Sequence, residues 1–194
     1  MPCRDLNIAG LLVKRGVMRW DDLAVTALDH ALQCAARARV ARACEEVVLA
    51  SLLHDVGHLI SDAEESHLTH HGLWGARFLR PFVPAKVAWL VEHHVTAKRY
   101  LCTVDPLYAE RLSLGSQRSW IRQGAALDPE TWRAMEGQPW LADVLAMRCW
   151  DDAATVPGAP VPPLRAYRDL LEGCFGPQSW ERVSAVGNDL AASL

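Results

Sequence analysis

Along this chain apolar residues recur at the three- and four-residue spacing of helices, and nowhere do they alternate long enough to suggest a strand. In residues 22–43, Leu23, Ala27, Leu28, Ala31, Leu32 and Ala35 share one face, which predicts a helix that Asp21 or Asp22 can cap. Residues 45–59 predict a second, strongly apolar helix, ended by Gly57 and the polar run from Ser61 to Ser66. Residues 70–80 and 84–97 predict two more, divided at Pro81 and Pro84. Pro106 opens a mixed helix over 105–122, and Asp128–Pro129–Glu130 starts another with Pro at its first position. Residues 139–152 and 164–174 complete the set. The run VPGAPVPP (156–163) reads as an ordered loop, because too little chain follows it for a second domain, and the tail from Gly176 reads as peripheral. The pattern predicts an all-α fold, with residues 1–194 as one domain.

The polar residues that interrupt these apolar series carry the chemical information. His30 sits within the apolar series of its helix, after Asp29. His54 and Asp55 follow Leu52 and Leu53. His71 heads a helix that runs into Trp74 and Phe78, His93 and His94 lie near the end of another, and Asp151 follows Arg148. A lone helical histidine such as His67 or His70 is ordinarily a surface or hydrogen-bonded residue. An unpaired buried carboxylate costs several kcal/mol, so Asp55 needs a partner. Either the recurrences on five helices are independent, or they converge on metal. Imidazole and carboxylate ligands suit Fe, Mn, Zn or Ni. The six cysteines form no CxxC pair, which argues against structural zinc. Six such ligands are too many for one ion that also binds substrate, and fit two ions sharing a bridging carboxylate.

Composition narrows the partners. The chain has 194 residues, a net charge of −3 and a charged fraction of 22%, which points to neither a nucleic-acid nor a membrane partner. The apolar stretch from Ile8 to Val13 is too short for a signal sequence or a bilayer span. The expectation is a cytoplasmic protein with reduced thiols. Its eight tryptophans are expected mainly in helix packing.

The ordered set H…HD…H…H…D resembles the HD-domain superfamily, named for its adjacent His–Asp pair. LDHALQCA (28–35), ASLLHDVGHL (50–59), HGLWGARFL (71–79), EHHVTAKRYL (92–101) and MRCWDD (147–152) resemble, within it, the mixed-valent diiron oxygenases of phosphonate catabolism; myo-inositol oxygenase is a more distant relative. The resemblance covers about residues 20–175. It implies a single HD-domain helical bundle with a dinuclear metal site in its centre, holding two Fe ions, Fe(II) and Fe(III), with O2 as cosubstrate. In that pattern His30, His54 and Asp151 hold one iron, His71 and His94 the other, and Asp55 bridges them. His94 is preferred to His93 by its spacing to Lys98, and His71 to His70 by its spacing to Gly75. His58, a turn after His54, reaches the substrate or else only supports the ligands. Lys98 and Arg148 bind the phosphonate, Lys98 and His58 being the groups nearest the chemistry. Arg99 is expected in a structural ion pair or in exchange with Lys98. In LSLGSQRSWIRQG (112–124), Ser116 is the first candidate for a phosphonate contact and Gln123 the second.

The implied reaction converts a small 1-hydroxyalkylphosphonate and O2 to phosphate and a carboxylic acid, without an external reductant. The chain departs from the family where aminoalkyl-phosphonate members carry Y–x–x–E before the first His ligand; here Trp20 and Leu23 stand. Trp20 suits a quaternary ammonium through a cation–π contact. A substrate with no amine, as small as hydroxymethylphosphonate, suits the pair equally. The organic product is then glycine betaine or formate, or glycine from a 2-amino substrate. The alternative reading is a metal-dependent HD phosphohydrolase acting on a phosphate ester or nucleotide through a metal-activated water. Oligomeric state is open at this stage.

Overall fold

Thr26 starts the helix that carries His30. Its hydroxyl accepts from the Asp29 N–H at 3.1 Å, and the Asp29 carboxylate accepts from the Thr26 N–H at 3.3 Å, a reciprocal capping box. The helix therefore begins at Ala27, later than the hydrophobic pattern suggests, and Asp29 is a capping group. The structure, a computed structural model, describes residues 6–18, 24–60 and 65–180, with side chains from residue 70 in the last stretch. Trp20 and Leu23, and the expected caps Asp21 and Asp22, lie outside the described residues.

The elements in order are α1 (Ile8–Arg15), α2 (Ala27–Val40), α3 (Glu45–Leu53), α4 (Val56–Leu59), α5 (Glu65–Leu79), α6 (Ala85–Val104), α7 (Pro106–Arg111), α8 (Leu114–Arg122), α9 (Pro129–Glu136), α10 (Leu141–Asp152) and α11 (Arg168–Phe175). Two 3-10 turns, Leu164–Tyr167 and Pro177–Trp180, flank α11. No β-strand occurs among the described residues, and the fold is all-α. No helix among them is long and apolar enough to cross a membrane.

The centre of the packing is α3, whose residues from Val47 to Leu53 are all buried. It lies against α2, α6, α10 and α11, while α5 packs on both α4 and α6. A helix surrounded on every side has no polar face to show, which is why residues 45–53 read as nearly continuous apolar sequence. The expected helix over 45–59 is in fact two, α3 and α4, divided at His54 and Asp55. The expected helix over 105–122 also divides, because the Ser113 hydroxyl accepts from the Ser116 N–H at 3.1 Å and caps a new helix. Conversely α6 runs past residue 97 to Val104. After α11, Ser179 is fully buried, and Pro177–Trp180 packs on α1, whose Ile8 and Leu12 belong to the core.

Candidate metal centre

In a continuous helix neighbouring side chains diverge and do not face each other. The interruption between α3 and α4 removes that constraint. Asp55 has φ −97 and ψ 10, in the sparsely populated bridge region where many active-site residues sit. Its Oδ2 consequently lies 3.3 Å from Nε2 of the preceding residue, His54. A second irregularity precedes the next histidine: His70, at φ −122 and ψ 17, kinks α5 just before His71. Gly57 serves the same junction. A Cβ there would lie 2.0 Å from the His71 carbonyl oxygen, so only glycine lets α4 approach α5 this closely. Gly57 was expected to end a helix; it sits inside α4 and permits contact.

Six side chains from five parts of the chain meet at this junction. His30 comes from α2, His54 and Asp55 from the α3–α4 link, His71 from α5, His94 from α6 and Asp151 from α10. All four histidines are buried, and Asp55 is half-buried. His30, His54 and Asp55 form one set able to hold a metal ion, and Asp55, His71 and His94 form another. The Asp55 carboxylate divides between them. Its Oδ2 faces His30 and His54 at 3.6 and 3.3 Å. Its Oδ1 faces His71 and His94 at 3.3 and 3.5 Å. Asp151 joins the first set through Oδ1, 3.1 Å from His30 Nε2.

The proton inventory tests whether a cation fits. His30 Nδ1 lies 2.9 Å from the Ala154 carbonyl, and His54 Nδ1 lies 2.9 Å from the Ser51 carbonyl. A carbonyl only accepts, so each Nδ1 carries the proton, and in the neutral ring Nε2 is a bare lone pair. Yet the two Nε2 atoms are 3.2 Å apart. His94 repeats the arrangement: Nδ1 faces the Val91 carbonyl at 2.7 Å, and Nε2 stands 2.9 Å from His71 Nε2. Lone pairs converging at about 3 Å are the geometry of ligands about 2.1 Å from a shared ion. The donor set fits metal.

Charge follows the same logic. Burial resists ionisation of Asp55, but His54, with hydrogen bonds from His71 and His94, holds its carboxyl well below the usual range. Asp151 is likewise held low against burial by Arg148 and His54. Burial opposes a charge on His54, yet Asp55 and Asp151 beside it keep its pKa well above ordinary. His94 is pushed down to about 4 by burial, with His71 and His54 adding to the effect. Two ionised carboxylates amid imidazoles make a site that attracts cations.

Known proteins are similar to this chain. The HD domain family model matches residues 27–118. The hydroxymethylphosphonate dioxygenase of Gimesia maris is 39% identical over 160 residues, covering 79% of this chain and 80% of that protein. The [1-hydroxy-2-(trimethylamino)ethyl]phosphonate dioxygenase (glycine-betaine-forming) of Leisingera caerulea is 35% identical over 151 residues, covering 75% and 77%. The chain belongs to the same HD-domain family as these dioxygenases.

Beside the metal cluster this HD-domain enzyme places two buried cations. Lys98 is 4% exposed and Arg148 5%. Arg148 pairs with Asp151 and Asp152, while its buried Nε has no hydrogen-bond partner. Lys98 bonds to the Ser119 hydroxyl at 2.7 Å, and no carboxylate among the described residues lies within ion-pair distance. Burial and the neighbouring Arg148 push its pKa down to about 8. Two cations are thus held close together in a buried place beside the histidine cluster.

The remaining sequence candidates distribute around this pair. Ser116 offers its carbonyl to Ser119, whose hydroxyl donates to it at 3.0 Å. Ser119, a helical turn beyond Ser116, is therefore the residue on Lys98; the i, i+3 spacing on α8 was the signal for it. Gln123 lines a cavity of about 450 Å³ with Thr96, His93 and Arg99, and its buried Oε1 has no hydrogen-bond partner. Arg99 makes no ion pair among the described residues. It donates to the carbonyls of Gly124, Ala125 and Ala126 at 3.3, 2.9 and 3.0 Å and closes the loop after α8. His93 stacks on Trp89 with its Nδ1 on the Trp89 carbonyl, away from the ligand set. His58 stacks on His71 with ring centroids 4.0 Å apart. Burial and His71 push its pKa down to about 3.

Proposed function

We propose that this enzyme cleaves the carbon–phosphorus bond of a small 1-hydroxyalkylphosphonate with O2, releasing phosphate and a carboxylic acid. The observation that carries the reading is the buried Lys98–Arg148 pair next to the bridged histidine cluster. A phosphonate brings the negative charge that buried Lys98 lacks and an acceptor for the unspent Nε–H of Arg148, and its hydroxyl would then be held toward the metals. The names of the two relatives support the same reaction class.

The residues that would hold the metals are His30, His54 and Asp151 for one ion, His71 and His94 for the other, and Asp55 for both. Two irons, Fe(II) and Fe(III), bound there would supply the redox chemistry and activate O2. The protein's own groups bind, orient and shield. Arg148 offers planar, multi-point donors to the phosphonate oxygens, and Lys98 a compact charge. Ser119, itself anchored on the Ser116 carbonyl, holds the Lys98 ammonium in place; Ser116 would be a further contact for the anion, whereas Gln123 lines a cavity that includes neither Lys98 nor Arg148. His58 stays neutral through the working pH range. It therefore meets the substrate as a hydrogen-bonding imidazole, without adding charge beside the metals. The reaction balances: hydroxymethylphosphonic acid and O2 have the same atoms as formic and phosphoric acids, so no external reductant is consumed.

The two relatives differ in substrate tail, and Trp20 and Leu23 are where this chain would choose. Trp20 would select between a quaternary ammonium and a substrate with none. The test is phosphate release by iron-loaded protein, with and without O2, from hydroxymethylphosphonate and from the 1-hydroxy-2-amino and 1-hydroxy-2-trimethylammonio ethylphosphonates. O2-dependent release supports the oxygenase. Absence of release, with O2-independent hydrolysis of phosphate esters, would establish the phosphohydrolase instead.

A further inference from the structure

The helix α7 is an unusual neighbour for a buried site. It has six residues and no buried side chain, so burial of its own side chains does little to fix its position. Its ends are set locally: Asp105 caps it, accepting from the Leu107 N–H at 3.0 Å, Pro106 takes the first position, and Arg111 returns to Asp105 at 2.6 Å. From this short helix Tyr108 reaches across to α10 and donates its hydroxyl hydrogen bond to Asp152 Oδ2. The other oxygen of the same carboxylate, Oδ1, holds Arg148 Nη2. Arg148 Nη1 goes to Asp151 Oδ2, whose Oδ1 faces His30.

The chain of contacts therefore runs from Tyr108 through Asp152 to Arg148, and ends on a carboxylate of the metal cluster. Each carboxylate takes one guanidinium nitrogen, which fixes the plane of the fork and leaves Nε and the remaining N–H donors unspent. Without the tyrosine hydroxyl, Asp152 is free to turn about its side-chain bonds. Arg148 would then lose one of its two fixed points and swing with the remaining one, Asp151. An Arg–carboxylate fork owes its selectivity to planar alignment, so a small rotation at Arg148 misdirects its free donors.

We propose that Tyr108 is a positioning residue for anion recognition: through Asp152 it fixes the Arg148 guanidinium in the orientation that receives the phosphonate. The proposal rests on the anion-binding reading of Lys98 and Arg148 given above. Tyr108 does not touch the substrate in this scheme, and its effect is carried entirely by Arg148.

The experiment compares wild type, Tyr108→Phe and Asp152→Asn in their binding of inorganic phosphate, measured calorimetrically on metal-loaded protein. It also compares their KM and kcat for whichever phosphonate is turned over. The expected result is that both variants bind phosphate about tenfold more weakly, as for loss of one hydrogen bond to a charged group. KM should rise by a similar factor, with a smaller change in kcat and an unchanged metal content. Wild-type phosphate affinity in Tyr108→Phe would overturn the proposal, and so would a loss confined to kcat or accompanied by loss of metal. A protein that releases no phosphate from any phosphonate would remove the assigned reaction, while the phosphate-binding comparison would still decide the role of Tyr108.

Discussion

His30 Nε2 and His54 Nε2 face each other at 3.2 Å with their protons on the far side of each ring. Metal binding should relieve that opposition. At a hundredfold excess over its dissociation constant, a ligand specific for the native state adds about 2.7 kcal/mol. Thermal unfolding should therefore shift upward on metal loading and fall again with chelator. A melting temperature indifferent to both would refute the metal site.

Metal binding should also release protons. The Nε2 lone pairs that would hold a metal also take up protons as pH falls, and a metal must displace whatever protons they hold. Apparent affinity should consequently weaken as pH falls. Calorimetry in buffers of different ionisation enthalpy reads the proton count directly; equal heats in all of them would contradict the assignment.

Asp55→Ala should prevent dinuclear assembly, because each of its oxygens serves a different histidine pair. Metal analysis is the check, and two ions retained per chain would exclude a bridging role for this carboxylate.

Gly57→Ala should separate the two halves of the site. The new Cβ would meet the His71 carbonyl at 2.0 Å, forcing α4 and α5 apart at about 1–3 kcal/mol. His71 moves with its backbone, while His30 and His54 do not depend on that contact. The expected outcome is a folded, less stable protein that binds one metal more weakly than the other. Unchanged stability and metal content would show that the junction has room to adapt.

Lys98 predicts a pH dependence. Its pKa, lowered to about 8 by burial and Arg148, leaves the ammonium charged below about pH 8 and neutral above it. KM for the phosphonate should therefore rise as pH increases through 8 in wild type, and that rise should be absent in Lys98→Met, whose KM is already high. Superimposable profiles would remove Lys98 from the site. Arg148→Ala is the harsher change. It leaves the buried Asp151 without its guanidinium, a loss of about 3–5 kcal/mol, so its stability should fall along with its affinity for the anion.

Apolar spacing along the chain is enough to establish the helical class, and the residue types alone give the set of groups available for metal. A histidine or carboxylate inside an apolar helix is costly unless paired, so His30, His54–Asp55 and Asp151 announce partners that the one-dimensional pattern cannot supply. Local sequence also held two signals open to misreading. Thr26 and Asp29 form a capping box, and Gly57 has a neighbour in space that its sequence context does not reveal. Where the helices break is legible in the tertiary structure alone: at the turn, the Asp55 carboxylate faces three histidines from other segments, His30, His71 and His94, as well as its neighbour His54. The tertiary structure alone put Ser119 on Lys98, Arg99 on loop carbonyls and Tyr108 on Asp152. The physical reason is common to all of these: hydrogen bonds and close approaches between distant segments depend on where packed helices bring their backbones, and helical periodicity records which face is buried but not what it meets.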